Sequence, residues 1–548
     1  MKFGSLSAPR PEGPEAARRK FRIAVLGDFS ARATRSALES GNRLAARRAM
    51  KLDVDTLDDV ISSFAAVLTL KLGTSGEAIE VPLASLDDLH PDALYENVSA
   101  FEALASLRRR VEAGQGIEDM AEWGRLTGAA PTAEPAERED GPGTAVPTGR
   151  RHETFADLLG EPNQAPYPSD VNAFIRAVVA PHVVAAPDPS QPAMLAAVDD
   201  AIGGLMRDIL HHPAFQAVES QWRSLELIAR RVETDEDLEL VVYDLAAEEL
   251  AADLAAHDAL EQSAFFRLIA TRPMEDAHQG RFGAVIGLYK WAQTPPHGEI
   301  LGRIARVAAH IEAPFISAIE GIALTTPAEE RHPLVAAACA ELSALPEARY
   351  LGLIAPRFLL RRPYGRKSDP IDRFAFEELT PDATVGALLW GNPAIIAGAL
   401  IGISAQDGWQ DMSLGGVLSL GDMPYAWLTD AYGDPAALPC TAIPLSQRRA
   451  EAALARGFMP LVSVRGRDVV RLAGFRAVGG GEILGPWSSE TILPSAGRPP
   501  NGHVTDTSEQ ELLSDADQAA LDRLLAEHRA ARLAGEGRPL TALLQEPD

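Results

Sequence analysis

Cysteine is almost absent from this 548-residue sequence, which holds only Cys339 and Cys440. Two thiols so far apart supply neither a disulfide framework nor a clustered metal site, and they fit a reducing cytoplasm. Positive charge is also in deficit. There are 51 Lys and Arg against 77 Asp and Glu, and the net charge of −26 opposes any broad attraction to nucleic acid or anionic lipid. Long apolar runs are missing as well. Stretches such as residues 334–340 fall far short of the roughly 20 residues that cross a bilayer. The first twenty residues carry Pro, Glu and the triplet Arg18, Arg19 and Lys20, with no apolar core for an export signal. A soluble, cytoplasmic chain without membrane insertion is expected.

Hydrophobic residues reach 46% and charged residues 23%, so most of the chain should fold. Its length exceeds what one core can organise and suggests three or four units. Residues 1–20 read as a disordered arm. Residues 21–26 (FRIAVL) then read as a buried strand closed by Gly27 and Asp28, a turn-favouring pair. A helix near Leu57, extended runs at 66–72 and 78–83, and a helix over 91–111 complete a small domain. That helix sets Leu94, Val98, Phe101, Ala105 and Arg108 on one face, which should pack on the sheet.

Residues 129–151 are Pro, Gly, Ala, Thr and acid, too poor in large apolar groups to offset chain entropy, and read as a linker. A helical connector follows over 152–193, with an apolar segment at 155–159 and a helix through Phe174 and Val178. A single long helix is expected from about Met194 to Val232, because Phe215, Val218, Trp222, Leu225 and Ala229 recur at three- and four-residue steps. Beyond it, strand signals at 238–245, 282–289, 314–318 and 350–355 alternate with helix signals at 246–256 and 299–311. This alternation predicts an α/β layer with a partly parallel sheet. After Trp487 the chain loosens, and one helix near 514–535 is signalled by the capping-box spacing of Ser514 and Asp517. Its apolar face is Leu521, Leu524, Leu525 and Leu533, with Gly535 as its stop.

Candidate chemistry is thin. Around Lys367 a phosphate-binding loop would need glycines where Arg366 and Arg361 stand. The glycines 479–481 lack a strand-to-helix setting. Adjacent His211 and His212 project about 100° apart on a helix, which suits capping or packing better than a shared metal. Asp235, Glu236 and Asp237 read as a solvated turn. Asp28 follows a buried strand, where doubly wound folds place functional carboxylates, yet it also suits a turn. No Gly-x-Ser-x-Gly elbow is present. Neither catalytic, cofactor-binding nor metal-binding residues are expected. The densest charge feature is Arg357, Arg361, Arg362, Arg366 and Lys367, which reads either as an interface patch for an acidic neighbour or as a solvated turn.

Several of these segments resemble the contractile sheath of type VI secretion. VLGDFSARA at 25–33, KLDVDTLDDVI at 51–61 and SLDDLHPDALY at 85–95 resemble its small subunit, TssB. DILHHPAFQAVESQWRSLELI at 208–228, RYLGLIAPRFLLRRPYG at 349–365, LLWGNPA at 388–394 and RRAEAALARGFMPLV at 448–462 resemble its large subunit, TssC. The resemblance implies a small-subunit-like domain over 21–128 packed on a larger one over 194–486, both α/β with mixed sheets, followed by a loose tail over 487–548. It implies a fused sheath protomer that stacks with copies of itself or with sheath subunits around an inner tube. Baseplate proteins and a recycling AAA+ ATPase would be further partners, and force would come from subunit repacking without a cofactor. Gly27, Asp28, Phe29, Phe215, Trp222, Arg357, Arg361, Arg362, Tyr364 and Trp390 are the packing or interface candidates on these motifs. Beyond Gly485 the family's further strand-forming region is replaced by a Pro/Gly-rich stretch and one helix, so a non-polymerising adaptor or terminator is the alternative.

Overall fold

The computed structural model describes residues 1–9, 20–72, 78–113, 191–275, 280–406, 408–429, 435–488, 515–540 and 543. The expected linker over 129–151 and the connector up to residue 190, with Phe174 and Val178, lie outside the described residues, as does Ser514. The chain divides into two compact units. One comprises residues 1–64, 218–362 and 382–548, the other residues 65–217 and 363–381.

The first unit is built on a nine-stranded mixed sheet. Its strands are β1 (Phe21–Gly27), β2 (Met50–Leu52), β5 (Leu238–Asp244), β6 (Ala284–Trp291), β7 (Phe315–Ile319), β8 (Leu351–Ala355), β11 (Ser419–Leu420), β14 (Phe458–Ser463) and β15 (Val470–Leu472). The order is β11-β15-β14-β8-β7-β6-β1-β5-β2. All neighbours from β14 through β5 are parallel, whereas β15, β11 and β2 add antiparallel edges. A parallel strand between two neighbours is covered on both faces, and all seven residues of β1 are buried. On one face Ala24, Leu26 and Val285 join a core with Ile304 and Val307 of the Pro295–His310 helix. On the other face the Ala394–Ala405 helix brings Gly398 against Ile286, where a Cβ would lie 3.0 Å from that side chain.

The second unit carries the hairpin of β3 (Ala66–Lys71) and β4 (Ala78–Leu83). Leu68 and Leu70 point inward with Val81 and Leu83, and Thr69 and Glu80 point out, the period-two pattern of a half-buried sheet. The Glu102–Glu112 helix buries Leu104, Leu107 and Val111 and packs on the Gln191–Leu210 helix.

Several expectations are corrected. The two family-like segments are not two compact domains, because the small-subunit-like segment divides between the units after Phe64. The physical reason is β1, which is hydrogen-bonded between two strands of the larger segment. The expected long helix over 194–232 breaks into Gln191–Leu210 and Pro213–Arg231, since Pro213 offers no N–H to the preceding turn. His212 Nδ1 caps the restart by accepting from the Ala214 N–H at 3.2 Å. The 91–111 helix likewise breaks at Val98, which is extended with φ −91 and ψ 117. Residues 1–9, expected within a disordered arm, lie along their own unit. The Met1 ammonium meets Glu341 at 2.6 Å, the Ser5 N–H donates to the Asp258 carbonyl at 2.6 Å, and Phe3 packs on the core. The C-terminal helix runs Asp515–Glu536, through Gly535, and Leu533 is 65% exposed, so it forms no part of a buried face.

Candidate functional site: the turn that locks the inserted strand

β1 comes from the N-terminal segment, and β5 and β6, its two neighbours, are successive strands of the downstream segment. Phe21–Gly27 pairs along its whole length with Leu238–Asp244, and Ile23 to Leu26 pair with Ala284 to Gly287. Arg22, 2% exposed, is the one charged residue in this run. Its Nε donates to Glu239, its register partner, at 2.8 Å, and its guanidinium lies 4.6 Å from the Phe282 ring centre.

The turn after β1 is held by carboxylates from both segments. Asp28 accepts from the Arg32 and Ala33 N–H groups at 2.6 and 3.1 Å, which closes the turn on itself. Burial raises the pKa of Asp28, and these backbone hydrogen bonds oppose the rise. Asp244, at the end of β5, accepts from the Phe29 N–H at 2.9 Å, the Ser30 N–H at 3.2 Å, the Ser30 hydroxyl at 2.7 Å and Arg32 Nε at 2.8 Å. Four donors on one carboxylate fix the direction in which the chain leaves the sheet.

A second clamp sits beside it. Arg47 meets Glu249 through two parallel hydrogen bonds of 2.5 Å and also donates to the Asp244 carbonyl at 2.6 Å and to Glu39 at 3.1 Å. Glu249 further accepts from the N–H groups of Ala246 and Glu39. Burial pushes the Glu249 carboxyl up, but the Arg47 and backbone hydrogen bonds outweigh it and hold the group below its usual range. Burial likewise pushes Arg47 down, and Glu249 with its neighbours reverses that to a net rise.

Apolar packing completes the lock. Trp222 is fully buried, and its Nε1 donates to the Phe29 carbonyl at 2.8 Å. Phe29 stacks on Phe64 with ring centres 5.2 Å apart. At Gly27 a Cβ would lie 2.3 Å from the Gln221 amide oxygen and 2.9 Å from the Phe29 ring, so the close approach of strand and helix requires glycine.

Of the residues singled out from sequence, Gly27, Asp28, Phe29 and Trp222 meet here. The others do not. Phe215 and Tyr364 belong to the second unit, where both are buried and Tyr364 packs edge-on against His90 at 5.1 Å. Trp390, also buried, donates from Nε1 to the Val385 carbonyl at 2.8 Å. The five-cation cluster is not one open patch. Arg361 is buried and bonds Glu219 at 2.7 Å, Arg357 reaches Glu536 at 3.3 Å, and Arg362 lies 5.3 Å from the Tyr425 ring centre. Arg366 and Lys367 are exposed in the other unit. Sequence reasoning missed Arg47, Asp244 and Glu249, although Glu249 stands three residues past Ala246 at the spacing of a helix-start carboxylate. Among the described residues no cluster of His, Cys, Asp and Glu could hold a metal ion, and no helix is long and apolar enough to cross a membrane.

Comparison with known proteins accounts for both segments. Residues 15–117 match a family described as type VI secretion system, VipA, VC_A0107 or Hcp2. Residues 192–331 and 334–478, over half the chain, match the EvpB/VC_A0108 tail sheath N-terminal domain, VipB. A curated relative, the type VI secretion system sheath protein TssC1 of Pseudomonas aeruginosa, is 33% identical over 304 residues. That alignment covers 52% of this chain, and the chain spans 60% of the relative's length.

Proposed function

For a chain that belongs to the tail sheath family of type VI secretion systems, we propose the role of a sheath protomer in which two family segments work as one subunit. The observation that carries this reading is β1. The downstream segment's sheet is continuous only with a strand from the N-terminal segment between β5 and β6. Fusion holds the two segments at an effective concentration of roughly millimolar, so each copy arrives already paired.

In this reading the protomers stack with copies of themselves or with other sheath subunits around an inner tube, in the cytoplasm and above a baseplate. Work comes from rigid-body change at protomer interfaces, as in other switching assemblies. A recycling AAA+ ATPase would act on the contracted form. The mechanism needs no active site, which suits a family of structural sheath proteins. Negative-stain microscopy of the purified full chain tests it. Tubes, rings or stacked helical pieces are expected, and a strict monomer that also ignores sheath subunits would overturn the proposal.

One observation favours a second reading, a terminator or adaptor that docks on a sheath without extending it. The C-terminal residues fold back on their own unit: Val385 N–H donates to the Arg538 carbonyl at 2.8 Å, and Leu540 N–H to the Ala383 carbonyl at 3.3 Å. Binding to preformed sheath ends without self-assembly would favour it over the protomer role.

A further inference from the structure

The first unit holds a cavity of about 320 Å³ between the Pro295–His310 helix, the Pro333–Ala344 helix and β14. Its walls are apolar, with Leu301, Leu342, Leu353 and Phe458 among them. Two guanidinium groups line it nonetheless, those of Arg331 and Arg456. Arg456 spends its donors on the backbone carbonyls of Thr326, Leu324 and Ala452. Arg331 has Nε and Nη2 shielded from solvent with no hydrogen-bond partner. Thr294, 2% exposed, lines the same cavity, and its Oγ1 is also without a partner.

A buried donor without an acceptor is costly. Buried polar groups are normally bonded, and two cations side by side repel. Burial lowers the pKa of Arg456, and the charge of Arg331 lowers it further. Among the described residues neither guanidinium has a carboxylate partner, in a chain that carries an acidic excess of 26. An apolar chamber with a few convergent donors is the usual build of a small-molecule site, and its size sits near the lower end for such sites.

We propose that this cavity binds a small amphiphilic carboxylate, its head hydrogen-bonded by Arg331 and Thr294 with the positive charge of Arg456 beside it, and its short alkyl body against Leu301, Leu342 and Phe458. Guanidinium forks suit a carboxylate, and the walls suit a hydrocarbon chain. Cys339 lines the same cavity.

The test uses the full chain and sodium octanoate below micelle-forming concentrations, with octanol and acetate as controls. Calorimetry should show saturable, one-to-one binding of octanoate, at least about tenfold tighter than either control. Arg331→Gln should weaken octanoate by about tenfold or more, leave octanol unchanged, and be partly rescued by Arg331→Lys. Should Arg331→Gln fail to fold, a Cys440→Ser chain gives a second readout, in which octanoate should slow reaction of Cys339 with an aromatic disulfide reagent. Equal binding of octanoate and octanol, or no protection of Cys339 at saturating octanoate, would overturn the proposal.

Discussion

Both compact units join residues of the N-terminal segment to residues of the downstream segment, but they do so by different physics. In the first unit the join is backbone: β1 shares ladders with β5 and β6, and Arg22, Asp244 and Glu249 seal it with charge. In the second it is side chains: the Glu102–Glu112 helix packs on the Gln191–Leu210 helix, Arg108 meets Asp199 at 2.7 Å, and Tyr95 lies 5.2 Å from Phe374. A backbone join fixes register to the residue, because a one-residue slip would turn every side chain to the wrong face. A helix-to-helix join tolerates substitution as long as volume is kept. The backbone join is thus the more demanding of the two.

Four substitutions grade this contrast. Val25→Pro should have the largest effect, since proline removes a donor from an interior strand and clashes with its neighbours; a loss of roughly 3 kcal/mol or more is expected. Soluble yield and far-ultraviolet circular dichroism would register it, and a native spectrum would break the contrast.

Glu249→Ala comes next. It strands the buried Arg47 guanidinium, which typically costs about 3–5 kcal/mol. The same pair predicts a pH dependence. The folded-state pKa of Glu249 is depressed, so its contribution is present above the unfolded carboxylate range and lost as pH falls through the folded value. Urea midpoints measured from neutral to acidic pH should therefore fall more steeply in the wild type than in Glu249→Ala. Parallel curves would remove the clamp from the account.

Gly27→Ala should cost about 1–3 kcal/mol, because Gln221 and Phe29 must both move. Arg108→Ala in the second unit should cost about 1 kcal/mol, since the side chains of Arg108 and Asp199 keep some contact with water, 21% and 16% exposed, which screens the ion pair. Reversal of that order in urea melts would mean that the side-chain join, and not the strand, sets the pairing.

Much of the fold is legible in the sequence where the signal is local. Residues 21–26 read as a buried strand because apolar residues stand together before Gly27 and Asp28, and the structure places β1 there. The extended runs at 66–72 and 78–83 are local as well, and the structure pairs them as a hairpin. Which strands flank β1 is not local, because its partners lie more than two hundred residues away. Arg361 illustrates the same limit. Its charge suggested a surface, whereas Glu219, 142 residues distant, holds it inside. The break at Pro213 had a visible signal that the apolar stripe of Phe215, Val218 and Trp222 overrode. The break at Val98 carries neither Pro nor Gly. β9 (Phe358–Leu359) and β10 (Trp390–Gly391) are two residues each, and β12 (Trp427–Thr429) and β13 (Pro435–Ala437) three each, too short for any periodicity. At the candidate site, turn and aromatic residues were readable, while Arg47, Asp244 and Glu249 acquire meaning only once β5 lies beside β1.

A protease site placed between residues 113 and 191 of the intact protein would probe the inserted strand most directly. After complete cleavage, both fragments should co-elute at native size in gel filtration and part only in denaturant. Separation in native buffer, with the downstream fragment keeping its spectrum and its solubility, would contradict an N-terminal strand in the interior of the sheet.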